Sequence, residues 1–223
     1  MNQLKKNYQL MLDKIIKSNE EAGERPRLLI HSCCAPCSSY VMEYLSKYFD
    51  ITFYFYNPNI DTKTEFIHRA EELKRLIEDM GLSDKVKLVV GDYDPQSFYE
   101  IAKGHEKDPE RGDRCTACYE LRIRESAAFT KKLNERHLKD PNEPYFDYFA
   151  TTLSISPLKD CERLNSIGFR VAEEYGLNWL PSDFKKREGY KRSIELSHEY
   201  NLYRQDYCGC IFSKRVDRDI CKM

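Results

Sequence analysis

Short apolar runs of strand length alternate along this chain with stretches of helical periodicity, and that alternation narrows the possible folds more than any other feature. "RLLIHS" (27–32), "ITFYFYNPN" (51–59), "KVKLVVGDY" (85–93), "YFDYFATTLSIS" (145–156) and "LNWLPSDF" (177–184) are strand-sized, and read as five strands. Between the second and third, Thr62 and Glu65 match a capping box. Phe66, Ile67, Ala70, Leu73, Leu76, Ile77 and Met80 then keep helical spacing up to Gly81. Further helices are expected before the fourth strand, at 160–175 and at 189–200. This order predicts an α/β fold: a doubly wound, mainly parallel five-stranded sheet with helices on both faces and right-handed crossovers. In such sheets ligands bind beyond the carboxyl ends of the strands. With 223 residues, no internal repeat and no linker, the chain is expected to be a helical extension (1–26) followed by one α/β domain (27–223). The extension carries Leu4, Tyr8, Met11 and Ile15 at helical spacing.

The first strand runs straight into "HSCCAPCSSY", three cysteines in five positions at the edge where ligands bind. The chain has nine cysteines, and its N-terminus lacks the apolar core of a signal peptide, so a cytoplasmic protein with reduced thiols is expected. There an odd number of cysteines favours metal binding or redox chemistry over a disulfide framework. Two C-x-x-C pairs, Cys34/Cys37 and Cys115/Cys118, offer four sulfur ligands that can converge on one ion or cluster. Taken from the residues alone, structural zinc stays open, although Cys33 would be left unused. So does a thioredoxin-like thiol–disulfide site, since Cys34-Ala35-Pro36-Cys37 lies between a strand and a helix. Cys161 and Cys221 stand alone and fit small core residues.

A net charge of −1 argues against coating nucleic acid through the overall field, so any RNA contact must be local. The best candidate is "KKREGYKR", where Lys185, Lys186, Arg187, Lys191 and Arg192 face one acid, Glu188, around Tyr190. A solvated helix start explains the same segment. The apolar stretches are far shorter than a bilayer span, so no membrane partner is expected.

With "HSCCAPCSSY", "FYNPNI", "DRCTACYELR", "ATTLSISPLKD" and "YRQDYCGCIFS" in that order, the sequence resembles the QueH family of cobalamin-independent epoxyqueuosine reductases, from about Arg27 to Phe212. The resemblance implies an adenine-nucleotide α-hydrolase-like (PP-loop-like, HUP) fold. It implies reduction of epoxyqueuosine to queuosine at the wobble position of tRNA, with electrons from an unidentified low-potential donor. It also implies a [4Fe-4S] cluster with an additional mononuclear metal ion, read as iron. On this resemblance Cys33, Cys34, Cys115 and Cys118 match cluster positions, shared in part with the second metal, and Cys37 matches a position assigned to the extra ion. Cys208 and Cys210 match a terminal motif for which an electron relay and a supporting contact are both open. Asp113 is a candidate proton donor or supporting partner, with a helix-cap role equally open. His31 reads as a satisfied strand histidine, and Tyr56 and Asn57 as candidates to line the base or, for Asn57, to make a turn. The glycines that hold phosphate in PP-loop ATPases are missing after the first strand, so no ATP chemistry is expected. The alternatives carried beside this reading are a cluster-dependent PP-loop-like tRNA sulfur-transfer enzyme and a zinc-stapled RNA-binding module.

Overall fold

The computed structural model describes residues 6–214; Leu4 and Cys221 lie outside them. The strands β1 (Arg27–His31), β2 (Asp50–Phe55), β3 (Val86–Val90) and β4 (Tyr148–Thr151) form one parallel sheet in the order β3-β2-β1-β4. Helix α1 (Tyr8–Glu21) precedes β1; α2 (Ala35–Leu45), α3 (Lys63–Asp79) and the pair α4 (Pro95–Ala102) and α5 (Asp113–His137) join the strands; α6 (Cys161–Tyr175) and α7 (Gly189–Glu199) follow β4. Parallel strands need crossovers, and these helices cover both faces, which is why the strands are apolar almost throughout.

The two faces divide the core. Leu28 and Ile30 of β1, with Phe53 and Phe55 of β2, pack with Val41, Leu45 and Leu73 from α2 and α3. Leu29 and Tyr54 point the other way, toward Ile123 and Ala127 of α5 and Leu164 and Val171 of α6. Successive residues of a strand project to opposite faces, so both layers are specified by the same short sequences. The order of the strands reverses at β1, whose neighbours are β2 on one side and β4 on the other. That places a ligand crevice beyond His31 and Thr151.

The sheet has four strands where five were expected. In "LNWLPSDF" only Trp179 makes a bridge, to Phe149, with Leu180 N–H donating to the Phe149 carbonyl at 2.9 Å. Pro181 follows at once and has no N–H to extend the ladder. Asn165 then captures the segment through its side chain, accepting from Trp179 Nε1 at 3.0 Å and from Ser182 N at 3.1 Å. The other strands are shorter than the apolar runs: β2 stops before Asn57-Pro58, and β4 passes into a 3₁₀ turn at Thr152–Ile155.

The helix at 62–81 follows expectation. The Thr62 side chain accepts from Glu65 N, and Gly81 takes φ +64 just beyond the end. Helix α1 is rotated from its expected face: Tyr8, Gln9, Leu12 and Ile16 are buried, and Leu12 and Ile16 join the core of the sheet domain. Among the described residues no helix is long and apolar enough to cross a membrane.

Candidate metal centre

The crevice beyond β1 and β4 is filled by the first cysteine cluster. Asn57 Nδ2 donates to the Ser32 carbonyl at 2.8 Å, and the Ser32 and Ser38 hydroxyls bond at 2.7 Å, so the turn after β1 is braced from β2 and from α2. Cys33 N–H donates to Thr152 Oγ1 at 3.4 Å across the switch point. Cys34 occupies the N-cap of α2 in extended conformation but makes no side-chain cap bond, and Pro36 fits the first turn. Its sulfur is therefore not committed to the helix.

The sulfurs of Cys33, Cys34 and Cys37 lie within 4.8 Å of one another, and Cys33 and Cys34 are 3.8 Å apart. A disulfide needs about 2.05 Å between sulfurs. Two thiolates each ~2.3 Å from one tetrahedral ion sit roughly 3.8 Å apart, which is this spacing. The thiols of Cys34 and Cys37 donate to Cys33 and hold it well below the ordinary thiol range. Bonding to Cys33 pushes Cys34 and Cys37 up. Three thiols this close together form a ready set of ligands, which a metal would take up with loss of their protons.

The second pair lies at the start of α5, with Cys118 one turn after Cys115; burial pushes the Cys118 thiol up to about 12. The third pair arrives on a strap that follows α7. Asn59 Nδ2 donates to the Cys208 carbonyl at 3.3 Å and Asp61 N–H to the Gly209 carbonyl at 3.1 Å, which ties the strap to the loop after β2. Gly209 has φ +110, and a Cβ there would come within 3.1 to 3.2 Å of Ile60, Arg69 and Asn59. Glycine is favoured by the backbone conformation, and any side chain there would press on these neighbours. Cys210 packs beside Cys118 against Phe98, and burial raises its thiol pKa.

A cavity of about 240 Å³ is walled by Cys33, Cys34, Cys37 and Cys208. A smaller one of about 20 Å³ is walled by Cys115, Cys118, Cys208 and Cys210. Both include Arg122, Lys159 and Glu110 in their walls. Arg122 is 1% exposed; its Nε donates to the Cys118 carbonyl at 3.2 Å and its Nη2 has no partner. Arg69, 2% exposed, bonds Glu65 at 2.7 Å and also has an unpartnered Nη2. Lys159 Nζ lies 3.6 Å from Cys208 Sγ. Burial opposes the charge of Lys159, but Cys208, Tyr119 and Cys33 more than offset it, so its pKa rises.

Arg122 and Lys159, which have no carboxylate partner among the described residues and line cavities with free thiols, fit an anionic metal centre: the thiolates and any sulfide would supply negative charge. The donor set is soft, which selects zinc, copper(I) or iron–sulfur centres over magnesium or calcium.

The structure therefore brings together all seven cysteines singled out in these three clusters. It does not bring Asp113 with them. The cap of α5 is Gly112, and Asp113 is exposed in the first helical turn, near His105 and Asp108. Tyr190 lines the larger cavity, so the basic segment borders its mouth. Four of that segment's cations are ion-paired: Lys185 with Asp183, Arg187 with Asp13, Lys191 with Glu188, and Arg192 with Glu43. Lys186 is exposed and has no ion pair among the described residues.

Tyr56 and Asn57 are buried under the site and are not in the wall of either cavity. His31 is buried between Thr151 Oγ1 and the Tyr56 carbonyl; since a carbonyl only accepts, Nε2 carries the proton, and burial lowers its pKa to about 3. The Cys161 thiol donates to the Ser182 carbonyl at 3.2 Å, away from the cavities, as a structural thiol does. Reading the sequence for cysteines passes over Arg69, Arg122 and Lys159. The available signal for Arg122 was its place four residues after Cys118 on one helix, hence on the same face.

Comparison with known proteins matches residues 28–216 to the family model described as "Epoxyqueuosine reductase QueH". The chain is 42% identical over 217 residues to a protein of that name from Staphylococcus epidermidis, covering 96% of this chain and 87% of that one. It is 41% identical over 217 residues to the Staphylococcus aureus protein so named (96% and 86% covered) and 38% over 212 residues to that of Streptococcus pyogenes (94% and 79%).

Proposed function

The chain belongs to the epoxyqueuosine reductase QueH family, and from that premise we propose that the two adjoining cavities are where its chemistry takes place. The protein is an oxidoreductase of queuosine biosynthesis, reducing epoxyqueuosine to queuosine. The balance of that reaction is simple: epoxide, two electrons and two protons give an alkene and water. A redox metal centre held by these thiols can pass the two electrons one at a time from a low-potential donor.

The soft, seven-thiol donor set carries this reading. We assign Cys33, Cys34, Cys115 and Cys118 to a [4Fe-4S] cluster and Cys37 to an adjoining mononuclear ion, read as iron. When bound, these groups supply electrons singly and a Lewis acid for the departing oxygen. Arg122 and Lys159 add fixed positive charge in the cavity walls, where negative charge develops as the carbon–oxygen bond breaks. Cys208 and Cys210 are close enough to the other thiols to act as an electron relay, and Lys159 contacts the first of them. We assign Asp113 to its favourable place at a helix N-terminus and leave the proton to a group in the cavity.

The larger cavity, at about 240 Å³, is smaller than the roughly 300–1,000 Å³ of pockets that engulf a whole drug-sized ligand. It suits the reacting ring of the modified base, with the nucleoside at the mouth beside Leu158 and Tyr190. The segment with Lys185, Lys186, Arg187, Lys191 and Arg192 then borders that mouth, and Lys186, which has no ion pair among the described residues, is the cation free to meet a tRNA phosphate.

The test is direct. Protein purified anaerobically and loaded with iron and sulfide is mixed with tRNA carrying epoxyqueuosine and a low-potential reductant, without cobalamin. Nucleoside analysis should show queuosine. Unchanged epoxyqueuosine with fully loaded protein would overturn the site assignment, and a colourless protein holding only zinc would overturn the cluster.

A further inference from the structure

Arg122 raises a question that the ligand assignment leaves unanswered. A guanidinium buried to 1% exposure ordinarily keeps a carboxylate or several carbonyls as partners. Arg122 has one bond, from Nε to the Cys118 carbonyl, and a buried Nη2 with none. No salt bridge among the described residues includes it. Cysteines of all three clusters, Cys33, Cys118 and Cys208, line cavities that Arg122 also lines.

The other buried arginines are better provided for. Arg69 has Glu65, and Arg114 donates through Nη1 to the carbonyls of His105, Glu106 and Asp108. Among the described residues Arg122 is the fully buried arginine with neither a carboxylate nor a set of carbonyls bonded to it.

We propose that Arg122 is a positioning residue for redox chemistry: its guanidinium is the resident counter-charge of the metal–thiolate centre and raises that centre's reduction potential. This rests on the cluster reading above. Adding an electron increases the negative charge of the centre, and a fixed cation beside it stabilises the reduced form more than the oxidised one. Burial makes the effect strong, because little water intervenes to screen it. The cation also favours assembly, since it offsets the repulsion among converging thiolates. Arginine suits the role because it stays charged when desolvated, whereas lysine loses its proton more readily.

The experiment uses full-length protein loaded anaerobically, titrated with dithionite in the presence of mediators and followed by absorption and electron paramagnetic resonance. Arg122→Met keeps an unbranched stem, shorter than arginine, and removes the charge; Arg122→Lys keeps the charge and loses the fork. The Met variant should be reduced at a more negative midpoint than the native protein, and should lose iron at least several-fold faster to a chelator. The Lys variant should recover most of both losses. A purely structural role predicts lower thermal stability in both variants and an unchanged midpoint in whatever cluster remains. An unchanged midpoint in loaded Met variant overturns the inference, whatever happens to activity. If the Met variant folds but does not load, loading of the Lys variant at the native midpoint still supports the need for charge. If both fold and neither loads, the guanidinium serves assembly alone, and the inference fails. Native protein that takes up no iron and sulfide would instead defeat the cluster reading, so the two failures are distinguishable.

Discussion

Two cationic regions lie close together in this molecule and obey opposite rules. Along 185–192, four of five basic side chains already face a carboxylate of the same chain at the surface. Around the cysteines, Arg122 and Lys159 lie beside cysteines and have no carboxylate partner among the described residues, although Arg122 is far more costly to bury. The surface region reads as basic in the sequence but is largely neutralised in the fold. The interior region is inconspicuous in the sequence and carries positive charge that has no bonded carboxylate among the described residues. Charge counts along a chain therefore misjudge both.

The strongest challenge to this contrast is to remove the anionic side of the interior. Cys34→Ser should lose most of its iron and sulfide and all measurable reduction of epoxyqueuosine, because a cluster tolerates a missing thiolate poorly. Cys37→Ser should keep the cluster's absorption and lose activity. Cys37→Asp should retain part of it, since a carboxylate can replace a thiolate on a single iron. Metal and sulfide analysis beside nucleoside analysis reads all three; equal loss of cluster in both serine variants would break the division between cluster and ion.

Removing an interior cation should have the next largest effect. Lys159→Met is expected to cost about 10²-fold in kcat, the scale of losing one electrostatic donor at a reacting oxygen. Its melting temperature should hold or rise, because a buried charge without a carboxylate has been removed. Stability lost with activity unchanged would make Lys159 an ordinary structural residue.

The surface region should respond weakly. Changing Lys185, Lys186 and Arg187 together to Ala should flatten the salt dependence of tRNA binding by about one unit, because only Lys186 is free to meet a phosphate. A drop of about three units would mean that the carboxylate pairs give way to phosphate and that the contrast is too sharply drawn. The smallest effect is expected from Arg192→Ala, which breaks the pair with Glu43 between α7 and α2. Exposed pairs contribute about 0.2–1 kcal/mol. Urea unfolding should show a loss in that range with iron content unchanged.

Much of the architecture was legible before the structure. Strand and helix order, the capped helix after Thr62, and a ligand edge beyond the first strand all follow from local pattern, and all are present. The fifth strand was not, because "LNWLPSDF" has strand composition while Pro181 and the Asn165 side chain end the pairing after one bridge. The face of α1 was misjudged by one position: Met11 and Ile15 are half-buried at its margin, and docking onto the sheet puts Leu12 and Ile16 in the core.

At the site, the sequence by itself determined the chemistry of the donors: three cysteine clusters of soft ligands, one of them placed by the strand–turn–helix pattern at the end of β1. Their spacing is local, and local spacing survives folding. Only the tertiary structure decided that the pairs from β1, α5 and the C-terminal strap converge, that Gly209 is hemmed in beside Arg69, and that Arg122 is left without a carboxylate among them. Each of these depends on groups far apart in the chain being brought within a few ångströms of one another and out of water. Burial and the absence of a partner belong to that arrangement, and no residue carries them in its identity.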